Sequence, residues 1–164
     1  MPDLVSGVVI GVITPVLNLL GLDQYRMRAA TELLLGTAIQ ESGLVARRQA
    51  NGGPALGLFQ MEPATHDDIW ANFLHFRPSL AQVVGTVAAA LPAPELLETN
   101  DEYAAAMCRV HYMRMGQIVG QTPLPVAGDI HGMAAYWKRF YNTILGAGTE
   151  AEFMAHWESH DPEF

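Results

Sequence analysis

Glu41 is the residue of this chain whose type and position best suit acid–base chemistry. An apolar helical pattern predicts a helix from about Asp23, acting as N-cap, to Ser42, so Glu41 lies near its C-terminal end, before Gly43. The helix dipole and an apolar neighbourhood both disfavour an ionised carboxylate there, so we expect a raised pKa. A carboxyl that is protonated near neutral pH can act as a general acid. The alternative is an exposed glutamate at a frayed helix end.

A glycine-rich apolar stretch, Gly52 to Gln60, follows Glu41 and belongs mostly to a loop predicted over residues 45–57. Its small residues allow a ligand or another part of the backbone to approach closely. The Gln60 amide offers both a donor and an acceptor, which suits sugar hydroxyl and acetamido groups. The alternative is a tight connection between two helices that leaves Gln60 in solvent.

Three groups of residues together resemble the signature of the soluble lytic transglycosylases, within the lysozyme-like superfamily. They are Glu41-Ser42, then Ala55-Leu56-Gly57-Leu58-Phe59-Gln60-Met61, then Pro63-Ala64-Thr65. The family has a Glu-Ser pair, then Gly-Leu-Met/Phe-Gln, then Pro-x-Thr at a similar spacing. Ala134-Ala135-Tyr136 is a weaker similarity to the family's Ala-Ala-Tyr-Asn helix. The resemblance covers residues 31–65 and, more loosely, residues 129–142.

This resemblance implies a lysozyme-like helical domain that cleaves the β-1,4 bond between N-acetylmuramic acid and N-acetylglucosamine in peptidoglycan. Glu41 would protonate the glycosidic oxygen and then, as a base, activate the sugar's own 6-hydroxyl, which leaves a 1,6-anhydro product. Such an enzyme needs no cofactor and no second carboxylate, whereas a common hydrolase needs another acid across the sugar ring. The resemblance also assigns Ser42 and Gln60 to holding the acid and the substrate, the backbone from Leu58 through Phe59 to Met61 to lining the groove, and Tyr136 to a bond near Glu41.

Three features depart from the family's pattern. Glu62 stands at a usually apolar position, and could be a second carboxylate of the site, a surface residue or a partner of Arg47 or Arg48. Trp137 replaces the asparagine that follows the family's tyrosine. Arg47, Arg48 and Pro54 stand where small polar residues are common. Two other functions therefore stay open: a non-catalytic wall-binding or structural virion protein that keeps the groove, and a helical interaction protein whose first segment docks on a membrane or partner.

The elements that position these residues are predicted to be helices. No strand-like alternation and no repeat occurs, so the fold class is all-α, with six to eight helices in one domain over residues 1–164. Capping residues, prolines and glycines set the expected boundaries. The first three expected helices are a short one between Thr14-Pro15 and Gly21, one over residues 23–42, and one that begins with a Thr65–Asp68 capping box. The next two cover residues 78–90 and residues 103–115, the latter after a Thr99–Glu102 capping box and ended by Gly116. The last two cover residues 130–142, capped by Asp129, and a segment that begins with a Thr149–Glu152 capping box. Residues 116–128 are expected to form an extended loop.

Charge and cysteine content exclude several classes of partner and site. The 164 residues carry a net charge of −8, with one lysine among nine basic residues, which disfavours binding to nucleic acid or to anionic lipid by charge. Half of the residues are hydrophobic, as a folded core requires. A single cysteine excludes an internal disulfide and a cysteine-rich zinc site.

Residues 4–22 carry no charge and are about long enough to cross a bilayer. Val5, Val9, Val12, Val16 and Leu19 recur on one helical face, however, which favours an amphipathic helix packed on the domain over a membrane segment. The basic start of a secretory signal is missing, so we expect synthesis in the cytoplasm. By association, we expect a phage or prophage virion protein that acts in the host periplasm or cell wall, with peptidoglycan strands and other virion proteins as partners.

Two weaker constellations are interpreted as structural. His66, Asp67, Asp68 and His75 could suggest a metal site, but neighbouring helix positions point to different sides, so surface or capping roles are expected and no metal is predicted. Cys108 and His111 have the spacing of a nucleophile pair, but no activating context accompanies them.

Overall fold

The computed structural model describes residues 3–118, 120, 122–143 and 145–164. The described part of the chain is helical and contains no β-strand, which confirms the predicted all-α class. The helices are α1 (Leu4–Val8), α2 (Thr14–Leu20), α3 (Met27–Ser42), α4 (Pro63–Asn72), α5 (Pro78–Ala88), α6 (Leu96–Thr99), α7 (Asp101–Ile118), α8 (Ile130–Trp137) and α9 (Glu150–His160). A π-helical turn, Val9–Ile13, joins α1 to α2, so the described residues form eight separate helices, within the predicted range of six to eight. Val119 and Gln121 of the predicted loop lie outside the described residues.

The first helix begins well before Thr14, so the predicted cap at that residue is wrong. Asp3 is the N-cap, because its Oδ1 accepts a hydrogen bond of 2.7 Å from the Ser6 N–H. Gly21 ends the helix in the left-handed conformation, at φ 64°, as predicted. Ile13 is fully buried whereas Ile10 is 70% exposed, so the helix packs by one face. The prediction that Leu19 shares this face is wrong, because Leu19 is exposed. Among the described helices, none is both long and apolar enough to span a membrane.

Helix α3 is the central helix, and it carries Glu41 near its C-terminal end. The residues from Ala29 to Ile39 are buried, and the helix contacts α2, α7, α8 and α9. Gly36 permits the close approach of α9, since a Cβ there would lie 2.3 Å from the Phe153 ring. The helix ends at the predicted Gly43, which is left-handed at φ 58°.

The predicted start of α3 at Asp23 is wrong, because the helix begins at Met27. Asp23 is instead buried in an ion pair with Arg109 of α7. The Arg109 Nε donates to Oδ2 at 2.7 Å and Nη2 donates to Oδ1 at 2.8 Å. A bidentate charge-assisted pair is stronger than an N-cap hydrogen bond, so the long-range partner determines the role of Asp23.

The predicted capping box at Thr65 is also wrong. Helix α4 begins at Pro63, with no side-chain cap, and Thr65 and Asp68 lie inside it. Proline suits the first helical position because its fixed φ is already helical and its missing N–H would have no partner there. Asp68 forms an ion pair with Arg114 of α7.

Helix α7 is longer than predicted and has a different cap. Asn100, rather than Thr99, caps it, because the Asn100 Oδ1 accepts a hydrogen bond of 2.9 Å from the Tyr103 N–H. The helix continues through Gly116 to Ile118. Helix α5 begins at Pro78 as predicted and ends at Ala88, two residues early.

The last two helices begin where the sequence predicts. The Asp129 side chain accepts from the Gly132 N–H at 2.9 Å, and Thr149 and Glu152 form a reciprocal capping box. Helix α8 passes into a π-helical turn, Lys138–Asn142, which completes the predicted 130–142 segment. Single π turns of this kind are frequent at functional sites.

The segment between α3 and α4 is held by short backbone pairings. Leu56 and Met61 exchange two hydrogen bonds, of 3.0 and 3.2 Å, and the Gly57 N–H donates to the Arg47 carbonyl at 2.7 Å. Gly57 is left-handed at φ 79°, and a Cβ there would lie 1.8 Å from the Leu97 carbonyl oxygen of α6. Only glycine therefore fits at this position.

Candidate active site

A cleft of about 480 Å³ opens beside the C-terminal end of α3. Its walls come from α3, the segment before α4, the first turn of α4, the middle of α7 and the π turn after α8. The lining residues are Glu41, Gln49, Ala50, Ala55, Gln60, Met61, Glu62, Thr65, His111, Tyr141, Asn142 and Gly146. Four of the residues assigned to the site from the sequence therefore lie together: Glu41, Gln60, Met61 and Glu62. The other four, Ser42, Leu58, Phe59 and Tyr136, do not line this cleft.

Glu41 is half-buried, and its carboxyl has a neutral hydrogen-bond donor as partner. The indole Nε1 of Trp137 donates to the Glu41 Oε1 at 2.8 Å. Burial raises the pKa of Glu41 from its ordinary 4.5 to about 7, although the indole bond opposes the shift by favouring the ionised form. Glu41 is therefore protonated in a large fraction of molecules at neutral pH, as a general acid must be.

Trp137 is the residue that positions Glu41, and the sequence had assigned that place to Tyr136. Trp137 is fully buried in α8 and packs on Phe153 with ring centroids 5.5 Å apart. The Tyr136 hydroxyl donates instead to the Thr122 carbonyl at 3.1 Å. Successive helix residues point about 100° apart, so the tyrosine and the tryptophan cannot both face Glu41.

Ser42 was expected to hold the acid, but its hydroxyl is turned back onto its own helix. The Ser42 Oγ donates to the Ala38 carbonyl at 2.9 Å. This bond uses the hydroxyl proton, and the role of Ser42 in holding the acid and the substrate stays a prediction.

The Leu58–Met61 backbone lines the cleft only at its end. Leu58 and Phe59 are buried in the core, and the Phe59 carbonyl accepts a hydrogen bond of 2.6 Å from the Tyr141 hydroxyl. Gln60 is left-handed at φ 47°, and its Nε2 donates to the Gly57 carbonyl at 2.9 Å. This hydrogen bond and the Leu56–Met61 pairing fix the wall on which Gln60 lies.

Glu62 is exposed at the position before α4 and lines the cleft. Neither arginine proposed as its partner pairs with it. Arg47 bonds Asp101 at 2.8 Å, and Arg48 bonds Glu98 at 2.6 Å. The role of Glu62 as a second carboxylate stays a prediction.

Sequence reasoning missed Tyr141 and Asn142 on the wall formed by α7 and the π turn, and it considered His111 there only as a partner of Cys108. The rings of His111 and Tyr141 form an edge-on contact with centroids 5.4 Å apart. Burial raises the pKa of Tyr141 well above its ordinary value, so its hydroxyl stays protonated. The place of His111 in an apolar helix, three residues after Cys108 and one before Tyr112, does not distinguish a cleft residue from a core residue.

No protein family, no curated protein and no solved structure matches this chain. The resemblance stated above therefore rests on its motif residues.

The contacts of His66 and of Cys108, the other two candidates for chemistry, are those of structural residues. His66 is buried, contrary to the expected surface role, and its Nε2 lies 2.7 Å from the Tyr103 hydroxyl. Cys108 is fully buried, and burial raises its pKa well above the ordinary value, so it lacks thiolate character. Across the described ranges, no group of three or more His, Cys, Asp and Glu side chains is arranged to hold a metal ion.

Proposed function

We propose that this protein cleaves the β-1,4 bond between N-acetylmuramic acid and N-acetylglucosamine in peptidoglycan strands, with Glu41 as acid and base. The observation that carries the proposal is the half-buried carboxyl of Glu41 on the wall of a cleft, where burial raises its pKa to about 7. A proton donor of this kind suits cleavage of a glycosidic bond, whose leaving oxygen must be protonated.

In the proposed reaction, the Glu41 proton passes to the glycosidic oxygen as the bond from that oxygen to C1 breaks. The positive charge that develops on C1 and the ring oxygen is met by the Glu41 carboxylate that has just formed. This carboxylate then removes the proton of the same sugar's 6-hydroxyl, and the 6-oxygen bonds to C1. The product carries a 1,6-anhydro ring, and Glu41 is protonated again.

The remaining wall suits a neutral sugar. Gln49, Gln60, Thr65 and Asn142 bring amide and hydroxyl groups to the cleft, which can bond sugar hydroxyls and acetamido groups. Trp137 keeps the carboxyl in place without adding a positive charge, and a nearby cation would have lowered the pKa of Glu41.

The experiment is digestion of purified peptidoglycan, with the released muropeptides identified by mass spectrometry. The proposal predicts 1,6-anhydro muropeptides from the wild-type protein and none from Glu41→Gln. Products with ordinary reducing ends would instead indicate hydrolysis and would give Glu62 a role as second carboxylate. Binding to peptidoglycan with no product would favour the wall-binding alternative.

The place of action that goes with this activity is the cell wall. Virion association and partnership with other virion proteins remain predictions from the sequence. An immunoblot of purified particles from a phage or prophage that encodes the chain would test them.

A further inference from the structure

His111 is a second titratable residue of the cleft, and the reaction proposed for Glu41 does not use it. It lies on α7, lines the cleft with Glu41 and Thr65, and contacts the edge of the Tyr141 ring. Its side chain is half-buried, so part of the imidazole reaches the cleft while the rest is enclosed by protein.

The enclosed part includes Nδ1. This atom is shut off from solvent and has no hydrogen-bond partner among the described residues. A buried N–H without an acceptor is rarer in proteins than a buried acceptor without a donor. Nδ1 is therefore best left unprotonated, which places the proton of the neutral ring on Nε2.

The His111 ring is neutral near neutral pH. Burial and, to a smaller extent, the Arg114 cation lower the pKa of His111 to about 4, although the Asp68 carboxylate opposes the shift. Between pH 5 and pH 6, His111 is then deprotonated while Glu41 is mostly protonated, so both groups are uncharged. A neutral sugar can then bind without the cost of removing water from a charged His111 or a charged Glu41.

We infer that His111 is a substrate-binding residue whose Nε2–H donates a hydrogen bond to an N-acetyl carbonyl oxygen of the glycan. This inference rests on the proposed function and assigns the acetamido group as the feature that α7 recognises. A neutral N–H donor is matched best by the strongest neutral acceptor of the substrate, and an amide carbonyl is a stronger acceptor than a hydroxyl or an ether oxygen.

The first test reads the imidazole directly by nitrogen-15 NMR of the full chain carrying Glu41→Gln, which keeps any ligand intact. The inference predicts an Nε2–H tautomer for His111 from pH 5 to pH 8. Addition of the N-acetylglucosamine trisaccharide should move the Nε2–H proton downfield. A proton on Nδ1, an imidazolium that titrates near pH 6.5, or an unmoved Nε2–H at saturating trisaccharide would overturn the inference.

The second test compares trisaccharide affinities by calorimetry, in the same Glu41→Gln background. His111→Phe keeps a ring but removes the donor, and should weaken binding by about tenfold, the cost of one hydrogen bond. His111→Gln places an amide N–H near the Nε2 position and should retain most of the affinity. His131→Gln changes an exposed histidine outside the cleft and should have no effect.

These outcomes separate the two proposals. Tight binding that neither His111 variant changes would overturn the role of His111 and leave the proposed function intact. Absence of both trisaccharide binding and peptidoglycan cleavage by the wild-type protein would overturn both. If His111→Phe fails to fold, the glutamine variant and the NMR measurement still decide the question.

Discussion

Glu32 and Glu41 lie on the same helix, and their surroundings give them opposite roles. Nine positions separate them, so they lie on roughly opposite faces of α3. Glu32 is buried and its two oxygens have separate donors, the Arg28 Nε at 2.9 Å and the Gly128 N–H at 2.7 Å. Glu41 has a neutral indole donor and a cleft beside it.

The difference shows that the partners, rather than the residue type or the helix, determine what a buried carboxyl does. The Arg28 guanidinium and the Gly128 N–H each bind one oxygen of Glu32, and the second bond ties the loop before α8 to the centre of the fold. Glu41 lies where burial outweighs its single neutral hydrogen bond, so it retains a proton that it can donate.

Replacing Glu41 tests the reactive side of this comparison and should have the largest effect. Glu41→Gln keeps the shape and the acceptor for Trp137 but has no proton to transfer, so we expect peptidoglycan cleavage to fall by about a thousandfold or more. Anhydro-muropeptide release measures the loss. Activity within a fewfold of wild type would remove Glu41 from the mechanism.

The same variant should also show that the raised pKa costs stability. The folded-state pKa exceeds the unfolded one, so this contribution to stability is present below pH 4.5 and is lost as the pH rises through 7. The free energy of unfolding of Glu41→Gln should therefore exceed that of wild type by about 3 kcal/mol at pH 8. At pH 4 the two proteins should have similar free energies of unfolding. Equal stability at both pH values would contradict the shift.

Two left-handed glycines near Glu41 should respond differently to alanine. Gly57→Ala places a Cβ on the Leu97 carbonyl in addition to the strain of positive φ, so we expect a loss of about 3 kcal/mol or more. Gly43→Ala meets nothing within 4 Å and should cost only about 1 kcal/mol. Urea denaturation measures both, and equal costs would contradict the packing described around Gly57.

Replacing Glu32 tests the structural side of the comparison. Glu32→Gln removes the charge that holds Arg28 and the Gly128 N–H, so we expect a loss of about 2 kcal/mol in the free energy of unfolding. Cleavage by the folded variant should stay within about threefold of wild type, because the affected face lies away from the cleft. A large loss of kcat in a well-folded Glu32→Gln would show that the two faces are not independent.

Trp137→Phe should have the smallest effect and the most specific one. It removes the indole donor and retains an aromatic ring, so the pKa of Glu41 should rise by up to about one further unit. The alkaline limb of the pH–activity profile should move upward by the same amount. Trp70→Phe is the matched control, since its indole donates to the Tyr103 hydroxyl, and it should leave the limb unchanged.

Local signals predicted much of the fold. The Thr149 capping box, the Asp129 cap and the terminating glycines 21 and 43 act through neighbours within a few residues, so the sequence alone identifies them. Asp23 failed as a cap because its partner, Arg109, lies 86 residues away. Thr14 and Thr65 failed because other residues had already begun those helices.

The sequence predicted Glu41 and the part of the cleft wall that lies next to it. Glu41, Gln60 and Met61 follow from motif residues close in the chain. Trp137 could not be distinguished from Tyr136, because a rotation of one residue along α8 decides which ring faces Glu41 and packing against Phe153 sets that rotation. His111 required knowing that α7 passes the cleft, a fact of tertiary structure.

Titration of the Glu41 carboxyl carbon by carbon-13 NMR is the most direct test of the central claim. With Glu41→Gln used to assign the resonance, the wild-type signal should titrate with a pKa of about 7. A midpoint near the ordinary value of 4.5 would show an ionised carboxylate at neutral pH and would contradict its role as the proton donor.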